Sequence, residues 1–163
     1  MNGSEKPALS DIYLRALNLL TRRDHTSVEL QRKLALRGFS ADSIADLLEQ
    51  LTAKGYLDDK RFAARWTEAA IRNGRGYGLR ILQELQKRGV PREIAAEAVA
   101  EAAVEYTEHD SLAAIISRRF SAFDPATAPL KEKQRVYSYL QRRGFSIRAI
   151  TGFFNNKEEE LDR

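Results

Sequence analysis

The chain has 163 residues, no cysteine and a formal net charge of +4, with 43% hydrophobic and 31% charged residues. That balance excludes a disordered chain, the missing cysteines exclude a disulfide framework and thiolate metal centres, and no apolar run approaches the ~20 residues of a membrane span. The first residues, MNGSEKPALSD, lack a hydrophobic signal region, so the expected location is cytoplasmic, with no membrane partner. The charge is uneven: residues 72–92 carry six basic side chains against one acidic, and residues 93–110 carry six acidic and no Lys or Arg. Adjacent patches of opposite sign suit docking on a charged, shaped partner.

In chain order, residues 1–8 are expected to be flexible, and Ser10 to cap a helix with Tyr13, Ala16, Leu17 and Leu20 along one face. Arg22, Arg23 and Asp24 close it. Thr26-Ser-Val-Glu29 has the form of a capping box and predicts a second helix through Leu30 and Leu34 that ends at Gly38. Ser40 then caps a third, with Ile44, Leu47, Leu48 and Leu51 on its face, closed by Lys54-Gly55. Asp58 is placed to cap the next helix, with Phe62, Trp66, Ala69 and Ala70 as its stripe. Gly74 to Gly78 break the chain, Ile81 and Leu85 take the places of Leu30 and Leu34, and Pro91 starts a helix faced by Ala95, Ala98, Val99 and Ala102. Leu112, Ile115, Ile116 and Phe120 make another stripe. After a longer connection come Val136 and Leu140, then Ile150, Phe153 and Phe154.

One motif recurs three times. It is Leu-x-x-Arg-Gly plus an apolar residue: Leu34/Arg37/Gly38/Phe39, Leu85/Arg88/Gly89/Val90 and Leu140/Arg143/Gly144/Phe145. With no alternating strand pattern anywhere, the expected fold is all-α: three tandem three-helix repeats stacked into an elongated, curved array. The boundaries fall at 9–55, 56–106 and 107–156, followed by a charged tail, 157–163.

Catalytic chemistry is hard to place. The histidines are only His25 and His109, both expected at the surface, and there is no thiol. Glu93, Glu97, Glu101 and Glu105 form a ridge expected to be solvated rather than metal-binding. No phosphate-binding loop occurs, and Gly74-Arg-Gly-Tyr-Gly78 follows a helix rather than the strand a dinucleotide loop requires. The sequence therefore assigns no catalytic residue, cofactor or metal, and the chain is expected not to be an enzyme.

What remains is binding. Arg72, Arg75, Arg80, Lys87, Arg88 and Arg92 gather around the glycine break, and Arg80 opens a helix, where a cation gains nothing from the macrodipole. An anionic partner is one reason to keep them there. Arg37, Arg88 and Arg143, each just before a helix-ending glycine, can either satisfy terminal carbonyls or present three cations along one side of the stack. Three short helices also suggest a helix-turn-helix, with Arg92 and Arg148 at the starts of reading helices, but the third helices of the first two units are acidic or apolar at exposed positions, which favours phosphate contact over base reading.

YLDDKRFA (56–63), then Arg72, then GYGLRILQELQKRGV (76–90), flanked by DHTSVELQRKLALRGFS and LQRRGFS, resembles the RecX regulatory proteins of bacteria. The resemblance spans roughly Leu9 to Asn155. It implies a modulator, usually an inhibitor, of the RecA recombinase. Such a protein lies along the groove of the RecA filament on single-stranded DNA and suppresses ATPase, strand exchange and the LexA cleavage of the SOS response. It also implies some affinity for single- or double-stranded DNA, and a monomer is expected. The matching positions are Asp58, Asp59, Arg61, Phe62, Arg72, Gly78, Arg80, Ile81, Leu85, Arg88 and Gly89. Of these Asp58, Asp59, Arg61, Phe62, Gly78, Ile81, Leu85 and Gly89 are expected to be mainly structural. Contact with RecA or DNA is expected from Arg72, Arg75, Arg80, Lys87 and Arg88, with Arg37 and Arg143.

Overall fold

The computed structural model describes the backbone of residues 6–161 and the side chains of 11–155. Among these residues there are nine helices and no strand: α1 (Lys6–Leu20), α2 (Ser27–Ala35), α3 (Ala41–Ala53), α4 (Asp59–Arg72), α5 (Leu79–Lys87), α6 (Arg92–Glu105), α7 (Glu108–Arg119), α8 (Leu130–Arg142) and α9 (Ile147–Leu161). They fall into three consecutive three-helix groups. By packing, the chain divides into two compact units, residues 1–63 with 85–95, and residues 64–84 with 96–163. The dividing line passes through α4, α5 and α6 rather than between groups.

The caps expected at Thr26 and Ser40 form as the sequence predicts. Thr26 accepts the Glu29 amide while the Glu29 carboxylate accepts the Thr26 amide, a complete capping box for α2. Ser40 accepts from the Ser43 amide at the start of α3, and Thr107, which the sequence reading did not single out, accepts from the Asp110 amide at the start of α7. Such caps satisfy amides that have no intrahelical partner, each contributing about 1 kcal/mol. Ser10 is a different case. It lies inside α1, which already begins at Lys6, so residues 6–8 are helical and only 1–5 of the expected flexible start fall outside the described residues. At the other end α9 continues through Leu161, into the stretch expected as a tail, and residues 162–163 lie outside the described residues.

In the first unit Leu30, Leu34, Ile44, Leu47 and Leu51 are buried together with Ile12, Ala16 and Leu57. Each fully buried leucine or isoleucine contributes roughly 1.5–3 kcal/mol, so this cluster is what holds α1, α2 and α3. In the second unit Leu112, Ile115, Ile116, Val136, Leu140 and Ile150 are buried. Two expectations change. In α4 the buried face is Phe62, Ala63, Thr67, Ala70 and Ile71, leaving Trp66 half-buried and Ala69 exposed. His25 is not a surface residue: it is buried, its Nδ1 lies 2.9 Å from the Arg23 carbonyl, and its Nε2 has no partner. The turn after α1 buries the imidazole, which spacing alone could not show.

Candidate functional site

Most of the sequence signature builds joints. Asp58 accepts the Arg61 amide at 2.9 Å, capping α4, and its other oxygen lies 4.0 Å from the Arg61 guanidinium. Arg61 itself donates to the Gly55 carbonyl beyond the end of α3 at 2.9 Å. Asp59 caps a different helix, accepting the Ser27 amide of α2 at 2.8 Å. Phe62, Ile81 and Leu85 are buried.

The Arg-Gly corner after α5 seats on the start of α2. The Thr26 hydroxyl donates to the Arg88 carbonyl at 2.6 Å, and the Arg88 guanidinium lies 2.9 Å from Glu29. Gly89, at φ +89°, sits so close to Val28 that a Cβ there would collide with the valine side chain. Glu29 is also 3.0 Å from Arg23. Burial pushes its carboxyl up, but the hydrogen bonds and charge of Arg23, with those of the Thr26 amide and Arg88, outweigh this and hold it below its ordinary value.

The same joint recurs in the second unit, where the corner after α8 seats on the start of α5. The Tyr77 amide donates to the Arg143 carbonyl at 2.8 Å, and Gly144 (φ +94°) lies against the Tyr77 carbonyl and Arg80 with no room for a Cβ. The Tyr77 ring stacks on Phe145 with centroids 5.5 Å apart, and its hydroxyl donates to the Tyr106 carbonyl at 2.8 Å.

Of the seven basic residues expected to make contact, three are ion-paired among the described residues. Arg72 is 3.1 Å from Glu68, Arg80 is 2.8 Å from Glu84, and Arg88 is held by Glu29. Lys87, Arg37 and Arg75 are exposed. Arg143 is half-buried and donates to the Arg75 carbonyl at 2.9 Å, a carbonyl outside its own helix. Arg88 and Arg143 thus each use a guanidinium group on a neighbouring element.

Arg75 and Arg143 belong to a larger cluster that sequence reasoning missed. A hollow of about 330 Å³ is lined by Asn73, Gly74, Arg75, Ile115, Arg118, Arg119, Tyr139 and Arg143. A second, of about 360 Å³, shares Arg119 and Tyr139 and adds Phe120, Arg135 and Arg142. The Arg119 and Arg143 guanidinium carbons lie 5.1 and 5.0 Å from the centroid of the Tyr139 ring, close enough for cation–π attraction. Arg118 reaches the Arg72 carbonyl at 3.4 Å. Phe120 meets the edge of Tyr139, with centroids 5.2 Å apart.

The C-terminal ends of α4, α7 and α8 therefore meet here, which explains locally why arginines fill their last turns: cations complement the negative end of a helix. That accounts for only part of the charge. Three helix ends supply about −1.5 charges in total, against the six guanidinium groups of Arg75, Arg118, Arg119, Arg135, Arg142 and Arg143. Neither hollow is lined by a carboxylate, and among the described residues no ion pair neutralises any of the six. The available signal was the pair of doublets Arg118-Arg119 and Arg142-Arg143 at helix ends. Only the fold brings them together. A third hollow, about 590 Å³, lies between Tyr77–Arg80 and Gln141–Ile147 and contains Glu108, so its charge is mixed.

Elsewhere, Glu93, Glu97, Glu101 and Glu105 are exposed along α6, as are Arg92, Arg148 and His109. Among the described residues no group of three or more His, Asp or Glu side chains is placed to hold a metal ion, and no helix is long and apolar enough to cross a membrane.

Three consecutive three-helix groups, with an arginine–glycine corner seated on a helix start in each unit and an arginine-lined hollow in the second, define a class of tandem helical-repeat proteins. Family models for the first, second and third three-helix domains of RecX match residues 13–51, 58–99 and 107–153. The chain is 40% identical to the regulatory protein RecX of Trichlorobacter lovleyi over 94% of its own length and 99% of that protein's. With the protein of that name from Halorhodospira halophila it shares 38% identity over 99% and 95% of the two chains. It belongs to the RecX family of regulatory proteins. The crystal structure of RecX from Lactobacillus salivarius, 22% identical, superposes with a TM-score of 0.72 over 96% of this chain and 97% of that one, and so shares its fold.

Proposed function

We propose that the chain is a non-catalytic inhibitor of RecA that binds along the groove of the RecA–DNA filament and suppresses its ATPase, strand-exchange and coprotease activities in recombination and DNA repair. The observation that carries this reading is the hollow around Tyr139. Six arginines gathered without a carboxylate repel one another, at a cost that an anionic partner removes on binding. Planar guanidinium groups suit phosphate and carboxylate alike, and a nucleoprotein filament offers both. Contacts at this hollow and at further sites along one filament add multivalently, which suits control of a polymer by few molecules.

The guanidinium groups also favour a second reading, in which the chain binds single-stranded DNA and acts on RecA by competing for it. The two separate in one assay: RecA ATPase on preformed filaments, with all single-stranded DNA already covered by RecA. Filament binding predicts inhibition that persists. Competition predicts that inhibition disappears when free DNA does.

A further inference from the structure

The corner Arg37-Gly38-Phe39 is the same element as Arg88-Gly89-Val90 and Arg143-Gly144-Phe145, but among the described residues no helix start is seated on it. Gly89 and Gly144 each press on the start of another helix, whereas a Cβ on Gly38 would meet nothing within 4 Å among the described residues. Exposure changes at all three positions together. Arg88 and Arg143 are half-buried and Arg37 is exposed; Gly89 and Gly144 are half-buried and Gly38 is exposed; Val90 and Phe145 are buried and Phe39 is half-buried. The backbone is nonetheless preset, with Gly38 at φ +87° beside +89° and +94° in the other two corners.

We propose that this corner is a docking surface for a helix start on the protein partner, one with a hydroxyl residue at its cap and a carboxylate in its first turn. The covered corner of the same unit supplies the template. There the receiving helix offers the Thr26 hydroxyl to the Arg88 carbonyl, Glu29 to the Arg88 guanidinium, and a side chain that fits only because Gly89 has none. Arg37 and Gly38 present the same carbonyl, guanidinium and bare backbone to the outside.

A second copy of this chain is the poorer occupant. The α2 start, which carries this chemistry, already holds the Arg88 corner. Counting back twelve residues from each glycine, as Thr26 stands to Gly38 and Tyr77 to Gly89, gives Glu132, which is not a helix start. It lies inside the first turn of α8, whose cap is Pro129, without a side-chain hydrogen bond. Array continuation would therefore meet an extra turn of helix. Resting on the reading above, the partner is the RecA subunit of the filament.

The experiment measures binding of the full chain to RecA filaments on single-stranded DNA for the wild type, Arg37→Glu and Gly38→Asn, with circular dichroism melts of each. Asparagine tolerates the left-handed backbone, so Gly38→Asn keeps the turn while filling the space the partner needs. The expected result is a tenfold or greater loss of affinity in both variants with helical content unchanged. Wild-type affinity in both folded variants would overturn the docking corner and leave the filament reading standing. No binding by the wild type would remove the filament reading and this partner with it. Concentration-dependent self-association of the chain alone, lost in Gly38→Asn, would show the occupant to be a second copy and overturn the proposal.

Discussion

The Arg88 guanidinium lies 2.9 Å from the Glu29 carboxylate across 59 residues of sequence, and it joins the end of α5 to the start of α2. Glu29 at once completes its own capping box, pairs with Arg23 and holds Arg88, with its side chain only 15% exposed. Removing the charge leaves two arginines without their counter-ion and replaces one carboxylate oxygen by an amide NH2 that cannot accept. Glu29→Gln is expected to lose about 2 kcal/mol of stability. Adding Arg88→Met should cost less in that background than in the wild type, because the pair is already broken. Denaturant melts of the four proteins measure the coupling.

The two lowered pKa values set the response to acid. Burial chiefly holds the His25 imidazole below its ordinary 6.5, and Glu29 is held below its ordinary 4.5 by the partners described above. In both cases the unfolded chain takes up the proton first, so stability is fully present above the ordinary value and is lost as pH falls through it. Melting temperature should be flat above pH 6.5, decline below it through His25, and decline further below 4.5 through Glu29. His25→Asn should remove the first decline and keep the second.

The three corner glycines should respond unequally to alanine. All pay the left-handed backbone penalty of about 1–2 kcal/mol. At Gly89 and Gly144 the new Cβ also meets Val28, or Tyr77 and Arg80, adding about 1–3 kcal/mol of overpacking. Gly38→Ala should therefore be the mildest of the three in thermal melts, and equal losses at all three would contradict the joints as drawn.

Much of this fold is legible in the sequence because its determinants are local. The capping box at Thr26, the cap at Ser40, the spacing of Leu30 and Leu34, and the Arg-Gly corners each act within a few residues. What was hidden depends on approach between distant segments. Asp59 stands in the signature expected to be mainly structural, but nothing near it in sequence shows that it caps α2, 32 residues earlier. His25 reads as a surface turn residue, yet the fold buries it. Arg118, Arg119, Arg135 and Arg142 each look like ordinary surface cations, and three of them sit at helix ends where the dipole suffices to explain them. Their excess charge becomes visible only when three helix ends share one hollow.

Filament inhibition is proposed to depend most heavily on that hollow, and charge reversal tests it directly. RecA ATPase on preformed, DNA-saturated filaments should be inhibited by the wild-type chain, less so as salt rises. The double variant Arg118→Glu/Arg119→Glu, with its helical content intact, should need at least tenfold more protein for the same inhibition. Inhibition by the folded double variant at wild-type concentrations would contradict the assignment.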